Sequence, residues 1–193
     1  MPATENPQYS ERVDEALVLA ASAFRTHIRK GSGVPYLTHL LQVMATVGEF
    51  GGDEDQLIAA ILHDYLEDIE EASADDLEAR FGARVRRLVE ALSDSTVIPK
   101  PPWRARKEHY LAHLRDAPAD VKLISAADKL HNARSILRDL QTLGDALWER
   151  FTGRKEGTLW YYAEVVEALA HEWTHPLLDE LRGVVEAVHA AAD

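Results

Sequence analysis

No cysteine occurs in the 193 residues, so the chain forms neither disulfides nor thiolate metal sites, and any metal must be held by His, Asp or Glu. Positive charge is also scarce. Lys and Arg number 21 against 33 Asp and Glu, a formal net charge of −12. A duplex binder needs a basic face, so nucleic acid is not the expected main partner. A small anionic ligand is still compatible, because a metal and a few local cations can hold phosphates inside an acidic protein. Long apolar runs are missing too: no stretch approaches the roughly 20 residues of a membrane span. The first residues, Met1-Pro-Ala-Thr-Glu-Asn-Pro7, lack the basic and apolar regions of a signal peptide. The expected location is cytoplasmic, with no membrane partner.

What is present is an ordinary globular composition, 46% hydrophobic and 28% charged. The length suits one domain over 1–193. Apolar residues recur with helical period nearly throughout, and no convincing alternating strand is found. The pattern predicts an all-α bundle of about ten helices, near 8–30, 36–50, 54–68, 74–81, 83–94, 102–116, 119–140, 144–150, 157–172 and 176–191. Asp53-Glu-Asp-Gln56 and Ser73-Ala-Asp-Asp76 read as capping boxes. Gly51-Gly52 and Gly82 suit helix ends, and Pro102, Pro118 and Pro176 suit first turns. Two loops stand out: basic, Gly-rich Arg29-Lys-Gly-Ser-Gly-Val34, and Ser93 to Pro102, which leads into Arg104, Arg106 and Lys107.

The chemistry concentrates at His63-Asp64, set in the apolar run Leu57-Ile-Ala-Ala-Ile-Leu-His-Asp-Tyr-Leu66 and followed by Glu67-Asp68. An unpaired charge in an apolar setting is costly, and a bound cation is a common repair. His39, in Pro35-Tyr-Leu-Thr-His39, and Asp128, in Ile124-Ser-Ala-Ala-Asp128-Lys-Leu-His-Asn132, read the same way. His39, His63, Asp64 and Asp128 form a set suited to a divalent transition metal. Such a metal with open positions yields hydroxide near neutral pH, and a nearby carboxylate such as Glu67 can take a proton from the water. Plainer readings exist beside this one: a lone His39 as a satisfied core histidine, and Asp128, followed by Lys129, as a solvated or ion-paired position. His171-Glu172-Trp-Thr-His175 matches the metalloprotease pattern H-E-x-x-H, but Pro176 disfavours helical geometry at His175 and the match is rejected. His109 and His113, one turn apart on a charged helix, are expected to be exposed.

Taken in order, these segments resemble the HD-domain hydrolases, and more narrowly the small alarmone hydrolases of the RelA/SpoT homologue family. The matching pieces are Arg29-Lys30, Gly33-Val-Pro-Tyr36-x-x-His39, Ala59-Ala-Ile-Leu-His-Asp64-x-x-Glu-Asp68, Phe81-Gly82, Ser93-Asp94, Arg106-Lys107 and Ala126-Ala-Asp-Lys-Leu-His-Asn-Ala-Arg134. Gly153-Arg-Lys-Glu-Gly-Thr-Leu-Trp-Tyr-Tyr162 is similar to short bacterial members. The likeness spans about residues 10–180. It implies an all-helical HD fold and one Mn²⁺ per chain, held by His39, His63, Asp64 and Asp128. It also implies hydrolysis of the 3′-diphosphate of ppGpp or pppGpp to pyrophosphate and GDP or GTP. By the same resemblance Glu67 and Asp68 are the catalytic acidic pair, Arg29 and Lys30 line the nucleotide base, and Asn132 contacts the nucleotide. Lys107, Arg154 and Lys155 are candidate diphosphate contacts, and Thr158, Trp160 and Tyr161 candidate walls of the nucleotide pocket. Gly31 lengthens the spacing between the Arg-Lys pair and Pro35 relative to the longer family enzymes, and no role is assigned to His27. Two alternatives stand beside this reading: the same site acting on an adenine alarmone or NADPH, and an idle nucleotide-binding sensor. Self-association is possible, but no segment marks an interface.

Overall fold

The computed structural model describes residues 9–94 and 99–192. The first seven residues, the predicted start of the first helix at position 8 and the middle of the Ser93–Pro102 loop lie outside the described residues. Among the described residues there are ten α-helices, one 3₁₀ segment and no strand. They are α1 (Glu11–Ala23), α2 (Leu37–Glu49), α3 (Glu54–Ile61), α4 (Tyr65–Asp68), α5 (Ala74–Phe81), α6 (Ala83–Leu92), α7 (Trp103–Arg115), α8 (Ala119–Leu143), the 3₁₀ segment Gly144–Arg150, α9 (Arg154–Ala170) and α10 (Pro176–Ala192).

Local chemistry sets most of these limits. Asp53 and Gln56 form the reciprocal capping box that starts α3. At α5 only half of the box forms: Ser73 Oγ accepts from the Asp76 amide, with no return bond. Pro102 and Pro118 sit at N-caps, one position earlier than first-turn placement, and Pro176 opens α10. Gly144 ends α8 at φ +57°. The helix α8 forms the spine, packing against α10, α2, α6, α3 and α9. Its buried side chains include Ile124, Leu130 and Ile136. They join Leu40, Val43, Ile58, Ile61, Leu62 and Leu88 in one core. Lys122 is buried on α8 without an acidic ion-pair partner among the described residues. Its ammonium donates to the Arg115 carbonyl at 2.9 Å and to the His171 carbonyl, so it serves the C-terminal ends of both α7 and α9.

Two expected helices differ in ways that build the site. The first ends at Ala23 rather than near 30. The amide of buried Phe24 closes the turn on the Ala20 carbonyl, and the chain then folds into a tight loop. In that loop the Arg29 amide donates to the Val34 carbonyl at 2.8 Å and the Tyr36 amide to the His27 carbonyl at 2.9 Å. The expected helix over 54–68 breaks between Ile61 and Tyr65. On an unbroken helix adjacent side chains point about 100° apart. The break instead sends both His63 and Asp64 toward one point. Smaller differences are the extension of α8 to Leu143, the earlier start of α9 and the 3₁₀ form of 144–150.

Candidate active site

Three segments bring the predicted ligands together: the first turn of α2, the α3–α4 break and the middle of α8. His39, His63 and Asp128 are buried, and their ligand atoms lie within 4.8 Å of one another. His39 Nε2 is 3.2 Å from Asp128 Oδ1 and 3.9 Å from Asp64 Oδ2. His63 Nε2 is 3.0 Å from Asp64 Oδ2 and 3.8 Å from Asp128 Oδ1. Both imidazoles therefore present Nε2 to the same point, and both carboxylates face it.

The remaining ring nitrogens are turned away and held. His63 Nδ1 donates to the Ala60 carbonyl at 2.7 Å, which leaves Nε2 as the inward atom. That Nε2 is fully buried and has no hydrogen-bond partner among the described residues. His39 Nδ1 lies 2.7 Å from His131 Nδ1. An orphaned imidazole nitrogen facing two carboxylates fits a divalent cation, since two N and two O donors without thiolates suit a borderline metal. Burial lowers the His63 imidazole, but Asp64 and Asp128 outweigh it and raise it to about 9. Burial opposes ionisation of Asp128 as well, yet Lys129 and His39 hold its carboxyl well below the usual range.

Neighbouring side chains hold these carboxylates in place. The Tyr36 hydroxyl donates to Asp64 Oδ2 at 2.6 Å, and burial followed by Asp64 pushes the phenol far up. Lys129 donates to Asp128 Oδ2 and Asn132 Nδ2 to Asp128 Oδ1, both at 2.5 Å. Arg29 donates to Asn132 Oδ1 at 2.7 Å. The ion pair with Lys129 weighed for Asp128 is thus present together with the metal-like cluster. Tyr36 and His131 carry no role from sequence. Tyr36 was signalled only by lying one helical turn before His39, and His131 only by lying between Asp128 and Asn132.

The cluster opens into a cleft of about 1100 Å³. Of the predicted residues, Arg29, Lys30, Asp64, Glu67, Asp68, Lys107, Asn132, Thr158 and Tyr161 line it. The Glu67 carboxylate accepts from Lys100 at 2.9 Å and from the Asp94 amide at 3.2 Å. Burial, then Asp94, raises the Glu67 carboxyl despite Lys100, and burial, then Asp64, raises Asp68. Lys107 donates to Asp94 at 2.7 Å, and Arg106 reaches both oxygens of the same carboxylate at 2.6 Å. Lys100, Asp94 and Arg106 belong to this wall although the sequence singled out only Lys107.

Arg154 and Lys155, expected as diphosphate contacts, do not line the cleft in this structure. Both lie at the start of α9 with side chains turned outward. Arg154 pairs with Glu149, while Lys155 donates to the Ala192 carbonyl and lies 3.5 Å from Asp145. The arginines lining that end are Arg138 and Arg150. Trp160 stands under Arg104 rather than in the cleft wall. His27, left without a role, lines the cleft, and its Nδ1 is buried without a partner among the described residues. His171 and His175 sit at the end of α9 and before α10, not on one helical face, as the rejection of H-E-x-x-H requires. His109 and His113 are exposed.

Comparison with known proteins follows this geometry. A family model described as an HD domain matches residues 16–159. The guanosine-3′,5′-bis(diphosphate) 3′-pyrophosphohydrolase MESH1 of Mus musculus is 34% identical over 169 residues, which cover 86% of this chain and 88% of the relative. The bifunctional (p)ppGpp synthase/hydrolase SpoT of Escherichia coli K12 is 34% identical over 132 residues, 65% of this chain but 18% of SpoT. A solved structure, described as a metazoan ortholog of SpoT that hydrolyses ppGpp and plays a role in starvation responses, superposes with a TM-score of 0.77 at 29% identity, covering 95% of this chain and 97% of that one.

Proposed function

The chain belongs to the HD-domain family, alongside the guanosine-3′,5′-bis(diphosphate) 3′-pyrophosphohydrolases, and from that premise we propose that it hydrolyses the 3′-diphosphate of ppGpp or pppGpp, with Mn²⁺ as its cation. The observation that carries this reading is the convergence of His39, His63, Asp64 and Asp128 at the mouth of a cleft that also contains Glu67 and Asp68. A divalent cation bound there supplies positive charge that acidifies water and neutralises charge developing on the phosphoryl oxygens.

The chain's own residues do the rest. Glu67 accepts a proton from the attacking water as oxygen adds to the phosphorus next to the ribose and the bond from that phosphorus to O3′ breaks. The products are GDP or GTP, with a proton taken up at O3′, and pyrophosphate. Lys100 and the Asp94 amide hold the Glu67 carboxylate in place. Asp68, on the same short helix, orients the water. Lys107 takes charge from the leaving diphosphate, and Arg29, Lys30 and Asn132 hold the nucleoside, with Thr158 closing the pocket. We read residues 1–193 as one cytoplasmic hydrolase domain acting on a small nucleotide rather than on nucleic acid, with self-association as an open property of the surface. No helix among the described residues is long and apolar enough to cross a membrane.

The test is product analysis on metal-stripped protein given ppGpp with and without Mn²⁺. GDP and pyrophosphate released only with the metal support the reading. A strong preference for ppApp or NADPH under the same conditions overturns the substrate. Glu67→Gln should lower turnover by about 10²- to 10⁴-fold while Mn²⁺ affinity holds, and unchanged turnover removes Glu67 from the reaction.

A further inference from the structure

The two imidazoles of the cluster are oriented by different kinds of group. His63 Nδ1 is fixed on a backbone carbonyl, that of Ala60, inside the α3 turn. His39 Nδ1 instead meets the side chain of His131, at 2.7 Å, with the two rings 4.8 Å apart between centroids. His131 is half-buried on α8, three residues beyond Asp128, and it lines the cleft.

The proton inventory of this pair follows from the chemistry of imidazole. His39 faces Asp128 and Asp64 through Nε2, and a nitrogen that is to hold a cation carries no proton. The single proton of neutral His39 is therefore on Nδ1, which donates to His131. His131 Nδ1 must then be the acceptor, with its own proton on Nε2. That Nε2–H has no hydrogen-bond partner among the described residues, and its ring borders the cleft.

We infer that His131 is a positioning residue with two faces: Nδ1 fixes the metal-facing tautomer of His39, and Nε2–H donates to an acceptor on the nucleotide in the cleft. The second half rests on the nucleotide reading above; the first does not. The consequence is a physical tie between the two sites. A nucleotide that binds the His131 ring steadies the His39 ligand, and by linkage a bound cation pre-orders the ring for the nucleotide.

Two substitutions separate the faces, because Asn places an oxygen where His has Nδ1 and Gln places an amide N–H where His has Nε2. Calorimetric titration of the full chain with Mn²⁺ alone needs no substrate. It should show His131→Asn within about threefold of wild type and His131→Gln weaker by about 10- to 100-fold, the usual range for losing such a partner. Steady-state kinetics with ppGpp should show the reverse division: a raised KM in His131→Asn, and in His131→Gln a lost response to Mn²⁺ that excess metal restores. Equal Mn²⁺ affinity in all three proteins, or equal loss in both variants, overturns the positioning role. The wild-type titration and product analysis judge the proposed reaction, whereas the ratio of variant to wild-type affinity judges this inference, so failure of either is told apart.

Discussion

Glu67 acts as a base only when ionised, and its surroundings make that harder. Burial and the neighbouring Asp94 raise its carboxyl, with Lys100 opposing them. A raised value means that the proton returns at higher pH, so activity falls as pH drops through a point above the ordinary glutamate value of about 4.3. Lys100→Met removes the opposing ammonium and should move the acid limb of the kcat/KM profile further up. A limb that stays in place would detach Lys100 from Glu67. Asp128 is tied to His39, Lys129 and Asn132, so Asp128→Ala should weaken Mn²⁺ binding and turnover together. It should also cost about 3–5 kcal/mol in a denaturant melt, because it strands the buried Lys129 ammonium. At this scale the sequence was informative where a polar pair interrupted an apolar run, as at His63-Asp64. It was silent where a polar residue does its work by touching a residue distant in the chain: His131 reaches His39 only once α2 and α8 have packed, and Tyr36 reaches Asp64 only once α2 and α3 have. Arg154 and Lys155 stand outside the cleft lining for the opposite reason, since a basic residue in a matching segment says nothing about which way its helix start is turned.

Among the elements, caps and breakers were readable because their bonds span only a few residues, as the Asp53–Gln56 box shows. The α3–α4 break was not, because Leu57 to Asp68 contains neither Gly nor Pro and its period is helical. At the break the His63 side chain competes with the backbone: its Nδ1 takes the Ala60 carbonyl, which an unbroken helix would pair with the Asp64 amide. The contact of α7 with α9 gives a prediction at this level. Trp103 lies against Gly153 and Gly157, and a Cβ on Gly153 would meet its ring at 2.7 Å. Gly153 has φ −74°, so alanine is acceptable to the backbone and the clash is the whole effect. Gly153→Ala should destabilise by about 1–3 kcal/mol and raise the nucleotide KM, since Trp103 lines the cleft. A thermal melt and a KM both equal to wild type would show that the ring gives way freely.

For the molecule as a whole, all-helical architecture followed from periodicity, and the order of the motifs foretold which family it would join. Neither showed how the segments meet. A cation that binds the folded cluster and not the unfolded chain should stabilise by about 2.7 kcal/mol at a free concentration one hundred times its Kd. Scanning calorimetry with Mn²⁺ and then with chelator should show the melting point rise and fall accordingly. A melting point indifferent to Mn²⁺ at that concentration would mean that no such cluster binds it.

The provenance of the ligands has a kinetic side. His39 and Asp128 come from segments far from His63-Asp64 along the chain, and the set of four is complete only when all three segments have met. A cation therefore lacks the Asp128 carboxylate until α8 has docked on α2 and α3, a late event because closing long loops is the slow part of folding. Metal arriving after the rate-limiting step leaves the refolding rate nearly untouched and acts on unfolding alone. The ion is a latch on the finished protein, lengthening its lifetime without shortening its birth.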